Sequence, residues 1–114
     1  MPNKKVTVYV KHYLTPAGIV YFQKEWFPWV YSIISKQKGF IFISHKIKGP
    51  CANISLQFED EATFNAWIAY PDHDCLVDAL DAHRDRDYWE VVRTNDEQTD
   101  LSQLEWVRIN LKKR

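Results

Sequence analysis

The sequence is expected to fold as one α+β domain, a ferredoxin-like βαββαβ arrangement built on an antiparallel sheet. Two observations predict it. Strand-like alternation and helix-like periodicity follow one another in the order strand, helix, strand, strand, helix, strand. The chain has 114 residues, 46% of them apolar and 15% aromatic, enough to bury one core but not two.

The elements follow in order. "VTVYVKHY" (6–13) alternates, with Val6, Val8 and Val10 on one face and Thr7, Tyr9 and Lys11 on the other. This is the pattern of a half-buried strand. Thr15 then suits an N-cap, and Pro16 the first helical position, where its missing N–H costs nothing. Ile19, Phe22, Trp26, Val30 and Ile33 recur at helical spacing up to Gly39, a natural stop. Pro28 lies inside this segment and removes the bond to the Lys24 carbonyl, so a long helix bent near Pro28 is expected.

"GFIFISHKI" (39–47) is apolar on both faces and "CANISLQFE" (51–59) alternates with Ile54, Leu56 and Phe58 inward, giving two further strands. A broken helix pair follows. Its first piece starts at Asp60, carries Phe64, Trp67 and Ile68 on one face, and ends at Pro71. Asp72 can cap the second piece, whose face is His73, Leu76, Val77 and Leu80 and whose solvated side is Asp74, Asp78 and Asp81. "DYWEVVRT" (87–94) is the fourth strand. Residues 1–94 therefore read as the domain and 95–114 as a C-terminal extension, a polar linker "NDEQTD" followed by "LSQLEWVRINL". The β-branched and aromatic content of that last stretch favours a strand over a helix, and it is expected to cover an edge strand, here or on a partner.

Fifteen basic residues balance fifteen acidic ones, so no basic footprint for nucleic acid is present. The two cysteines are too few for a disulfide framework and read as free thiols of a reducing compartment. The opening "MPNKKVTVYV" has no apolar leader, and no apolar run approaches the roughly 20 residues of a membrane span. A cytoplasmic protein without nucleic-acid or membrane partners is expected. The sheet face opposite the helices carries Thr7, Tyr9, Lys11, Asn53, Ser55, Gln57, Tyr88 and Glu90, with Phe40 or Ile41 and Val92 adding apolar surface. A second copy packed on this face in a two-fold homodimer would cover it.

The stretch "GFIFISHKI…ANISLQFEDEATFNAWIAYPDH" resembles the antibiotic biosynthesis monooxygenase-like family of dimeric α+β barrels. It shares a Gly-aromatic start to the second strand, and a third strand running into an acidic-capped helix that carries a Trp. The resemblance covers about residues 5–94. It implies a homodimer with facing sheets and, in each subunit, a pocket between sheet and helices for a hydrophobic small molecule. The family includes cofactor-independent oxygenases of aromatic polyketide-like or quinol substrates, and haem-degrading enzymes. Trp67 stands where the haem-degrading branch has a Trp. That branch's haem-ligating His falls on Leu76 or Val77 here, and its first-strand Asn is absent. No cofactor and no metal is therefore expected.

Six residues are candidates for a site. His12 continues the inward set of the first strand, and Tyr13 ends that strand where a pocket mouth could lie. His45 continues Ile41 and Ile43 on the second strand. Trp26 and Trp67 belong to helical core faces and can also wall a pocket. His73 follows the Tyr70-Pro71 break. Histidine titrates near neutrality, so His12 or His73 could act as the base, with Trp26, Trp67, His45 and Tyr13 contacting substrate. His73 and His83, about 15 Å apart along one helix, cannot share a metal. The run "DHDCLVDALDAHRDRD" reads as a solvated helix face rather than a metal site. Against a binding site stands the bulk of Trp26, Phe27, Trp29 and Tyr31, which could fill the pocket instead.

Overall fold

In the computed structural model, which describes residues 4–95 and 105–111, the alternation of the first segment becomes β1 (Val6–Tyr13). Thr15 caps α1 (Pro16–Tyr21) by accepting a hydrogen bond from the Gly18 N–H. A π-helical turn (Phe22–Trp26) and α2 (Phe27–Ile34) follow without a break. Next come β2 (Phe40–Lys48), β3 (Cys51–Phe58), α3 (Glu61–Ala69), α4 (Pro71–Asp81), β4 (Tyr88–Thr94) and β5 (Val107–Asn110). The five strands form one antiparallel sheet in the order β2-β3-β1-β4-β5, the ferredoxin-like arrangement with a strand added beside β4. No helix among the described residues is long and apolar enough to cross a membrane.

The expected bend near Pro28 takes a different form. The Phe27 N–H bonds to the Phe22 carbonyl, five residues back, so the turn before Pro28 widens instead of kinking. Pro28 has no N–H to offer Lys24 and its ring would clash with that carbonyl; the wider turn accommodates both facts. It also resets the buried face. Phe22, Trp26, Val30 and Ile34 are buried, and Ile33 is only partly so.

Two further expectations are corrected. α4 is not capped by Asp72. Tyr70, held extended ahead of proline, is the cap residue, Pro71 opens the helix, and Asp72 sits in its first turn. Ile68, placed on the core face with Phe64 and Trp67, is 41% exposed. In β2, the register slips between Phe40 and Phe42. Phe40 consequently packs on the core, while Phe42 is the β2 aromatic on the face away from the helices.

Asp60 caps α3 through Oδ1, which accepts from the Thr63 N–H at 2.8 Å. Gly39, at φ +83°, turns the chain into β2 directly against Thr63. The segment after α4 is tied back to the end of β1. Leu14 and Arg84 form a bridge, the Thr15 N–H donates to the His83 carbonyl, and the Asp85 N–H donates to the Tyr13 carbonyl. β5 pairs with β4 of its own chain (Val91 opposite Val107, Trp89 opposite Ile109). The expected linker beyond Asn95, and the start of the segment at Leu101, lie outside the described residues.

Candidate functional site

Between the helix-side face of the sheet and the helices lies a cavity of about 560 Å³, within the range of small-molecule sites. Strand register explains its floor. His12 lies opposite Ala52 and Val10 opposite Ile54, so alternation brings Val8, Val10, His12, Ile54 and Leu56 to one face. Trp89 and Val91 of β4 extend the same face. Trp26 and Val30 form one wall; Phe64, Trp67, His73 and Leu76 form the other. Exposed lining residues mark the mouth: Asn65 and Ile68 of α3, Arg93 of β4, and Glu105, Val107 and Ile109 at β5. The Arg93 guanidinium donates to the side-chain Oδ1 of Asn65 at 3.4 Å.

Four of the six sequence candidates meet in this cavity: His12, Trp26, Trp67 and His73. The other two do not. His45 shares the helix side of the sheet but is exposed, and its ring lies 4.2 Å from Phe27 and 5.5 Å from Phe22 between ring centroids. Fully buried Phe22 stacks on Trp26 and separates His45 from the cavity. Tyr13 points the opposite way, because strand alternation puts it on the other face from His12. There its hydroxyl donates to Glu90 Oε1, Arg86 lies 4.1 Å over its ring, and its pKa is pushed up to about 12, by burial first and Glu90 second. The bulky residues Trp29 and Tyr31 of α2 are 41% and 51% exposed, so they do not fill the cavity.

Each indole is held. Trp26 Nε1 donates to the Leu76 carbonyl at 2.7 Å, joining the first helical stretch to α4. Trp67 is 4% exposed and meets the His73 ring edge-on at 5.3 Å.

The two histidines differ in kind. His12 is 4% exposed, edge-on to Trp26 at 5.8 Å and 6.2 Å from Trp89. Its Nδ1 lies 3.1 Å from Arg84 Nη1. Burial, and then the neighbouring guanidinium, push its pKa down to about 3, so it is neutral at physiological pH. A guanidinium only donates, which makes His12 Nδ1 the acceptor and leaves the ring proton on Nε2. The expectation that His12 could be the base therefore fails: one nitrogen is occupied and the other already carries its proton. His73 is partly buried, and its Nδ1 has no hydrogen-bond partner among the described residues. Asp74 Oδ1, at 3.8 Å, is too far for a hydrogen bond. Burial lowers the His73 pKa and Asp74 opposes that shift.

Arg84 and Trp89 were not among the sequence candidates. Arg84 stands in the turn after α4 with its side chain 1% exposed. Its Nε donates to Asp81 Oδ1 at 2.9 Å and its guanidinium carbon lies 4.4 Å over the Trp89 ring. Asp81, read as part of a solvated face, is thus partly buried as the partner of this cation. Arg84 Nη2 is buried without a hydrogen-bond partner among the described residues, an arrangement that costs about 1–3 kcal/mol. Trp89 could have been found from the alternation of "DYWEVVRT", which sets it on the face of Val91. Arg84 carries no local signal, since its partner His12 lies 72 residues away.

No protein-family model and no curated protein matches the sequence. Solved structures do match in fold. SnoaB, a cofactor-independent oxygenase from Streptomyces nogalater, superposes with a TM-score of 0.71 at 17% identity, over 84% of this chain and 96% of that one. The monooxygenase ActVA-Orf6 of Streptomyces coelicolor, solved with Nanaomycin D, gives 0.72 at 16% identity, over 86% and 92%. A dabb family protein with a ferredoxin-like fold from Mesorhizobium loti gives 0.63 at 17% identity, over 81% and 96%. By these likenesses the chain has the ferredoxin-like α+β fold that antibiotic biosynthesis monooxygenases also adopt.

Proposed function

We propose that this protein is a homodimeric small-molecule-binding protein that acts as a cofactor-independent monooxygenase on an aromatic, quinol-like substrate. The observation that carries the reading is the cavity itself: apolar and indole-walled, lined by His12 and His73, and not filled by the exposed aromatics Trp29 and Tyr31 of α2. A planar hydroxyarene fits such walls, and the fold neighbours that are oxygenases support the chemistry.

In this reaction class the substrate activates oxygen. His73, through its unpartnered Nδ1, takes the proton of a substrate hydroxyl. The resulting anion passes electrons to dioxygen and forms a carbon–oxygen bond at the ring. Loss of the ring proton, with cleavage of the O–O bond, releases water and leaves the quinone. One dioxygen is consumed, and one of its atoms stays in the product. Trp26 and Trp67 hold the ring in place while the apolar walls keep the anion from bulk water.

Oxygen uptake with hydroxynaphthalenes and quinols tests the proposal. Protein-dependent uptake should fall about 100-fold or more in His73→Ala, the usual range for a lost general base. No uptake by the wild type, or an unchanged rate in His73→Ala, would sink the oxygenase reading. The alternative is a non-catalytic binding protein of the same fold, favoured by the guanidinium that removes His12 from service as a base. Quenching of tryptophan fluorescence by the same compounds without oxygen uptake is its signature. The free thiols Cys51 and Cys75 suit a reducing compartment, and we place the protein in the cytoplasm on that ground.

A further inference from the structure

A buried, unsolvated cation beside a histidine is an expensive way to fill a core, and here its placement is specific. The bridge between Leu14 and Arg84 sets Arg84 beside the end of β1, on the side where His12 and Leu14 both point. From there three contacts fix the guanidinium: Asp81 at Nε, the Trp89 ring below, and His12 Nδ1 at Nη1. The His12 ring lies between Trp26 and Trp89 and lines the cavity. Among the described residues its Nε2 has no protein partner.

We propose that Arg84 is a positioning residue that holds His12 as a neutral Nε2–H donor, and that this N–H binds a ligand oxygen as it gains negative charge. Two physical facts carry this. Arg84 has donors only, so the tautomer with the proton on Nδ1 would set two N–H groups against each other. A second charge on His12 would sit beside an existing buried cation, so the ring stays neutral and its donor persists. A fixed donor at the floor of an apolar cavity meets a phenolate, enolate or carbonyl oxygen without reorganising at the moment of need. The ligand class is thus a planar arene bearing such an oxygen. This choice of ligand rests on the proposed function; the tautomer lock stands without it.

The test reads His12 directly and does not depend on turnover. Imidazole nitrogen NMR of the wild type should show His12 protonated on Nε2 and not on Nδ1, unchanged between about pH 5 and pH 8. In Arg84→Met the preference should give way to mixed tautomers, and Arg84→Lys, which keeps a donor, should restore part of it. Wild-type protein should bind 1-naphthol more tightly than naphthalene, which lacks the oxygen. That preference should shrink about 3- to 10-fold in His12→Phe, the worth of one hydrogen bond, and survive in His12→Gln, whose amide N–H replaces Nε2–H. Should Arg84→Met fail to fold, the wild-type spectrum and the two His12 variants carry the test. An Nδ1-protonated or cationic His12 in the wild type overturns the lock. An equal preference for 1-naphthol in wild type and His12→Phe overturns the oxygen contact. Oxygen uptake enters neither measurement, so the proposal can fail while the oxygenase reading survives, and the reverse.

Discussion

Among single residues, His12 makes the most quantitative demand on the fold. Its pKa is pushed down to about 3 by burial first and Arg84 second, from 6.5 for a solvated ring. Between those values the unfolded chain binds a proton that the folded chain refuses. Its stabilising contribution is therefore fully present above about pH 6.5 and is lost as pH falls toward 3. Within that window His12 alone contributes a slope of about 1.4 kcal/mol per pH unit. Urea unfolding between about pH 6.5 and about pH 4.5 should cost the wild type about 2 kcal/mol more than His12→Gln. Equal losses would mean that the buried ring titrates normally. His73 shifts in the same direction, and a His12 variant leaves its share in place, so the difference isolates His12.

At the scale of elements, the passage from α2 into β2 depends on backbone geometry. Gly39 and Gly49 both have positive φ, at +83° and +56°, where any side chain strains the backbone. They differ in their surroundings. A Cβ at Gly39 would meet the Thr63 side chain at 2.4–2.7 Å, whereas one at Gly49 would meet nothing within 4 Å. Gly49→Ala should therefore cost about 1–2 kcal/mol, the left-handed backbone penalty alone. Gly39→Ala should cost at least about 1 kcal/mol more, because Thr63 is held by its bonds to Asp60 at the start of α3 and cannot easily yield. Thermal or chemical denaturation of the pair checks this, and equal costs would show that β2 and α3 do not need so close an approach. The π-helical turn belongs to the same scale. One proline rephases a helical face, so that Ile34 rather than Ile33 completes the core beside Val30.

For the whole molecule, the sheet face away from the helices is buried at Thr7, Gln57 and Val92 but only partly covered over the rest of its surface in one chain. It carries Tyr9, Lys11, Tyr13, Tyr88, Glu90 and Arg108, with Arg108 3.9 Å over the Tyr88 ring and Lys11 4.3 Å over Trp106. Phe42 adds an aromatic ring 39% exposed on the edge strand β2. Under the proposed homodimer a second copy covers this face. Light scattering should give about twice the 13.6 kDa of one chain. Phe42→Glu, a change at an exposed position, should shift the mass toward the monomer with little effect on the fold of each subunit. A wild-type mass near 13.6 kDa would remove the dimer from the proposal.

How much was legible in the sequence varies with how local the signal is. The strand order, the Asp60 and Thr15 caps and the inward rows Val6-Val8-Val10 and Ile54-Leu56-Phe58 were readable because alternation, helical period and capping act within a few residues. The same alternation carried His12 inward, and helical spacing carried Trp26, Trp67 and His73 onto the helix faces that wall the cavity. By itself, then, the sequence determined a ferredoxin-like sheet with helices on one side and four of its cavity residues. Only the tertiary structure decided that Phe22 shuts His45 out, that Tyr13 turns to the other face beside Glu90, and that Arg84 reaches His12 across 72 residues to remove it as a base. The reason is physical. Periodicity assigns a residue to a face, but its protonation state depends on burial and on which charge the chain's return path sets beside it.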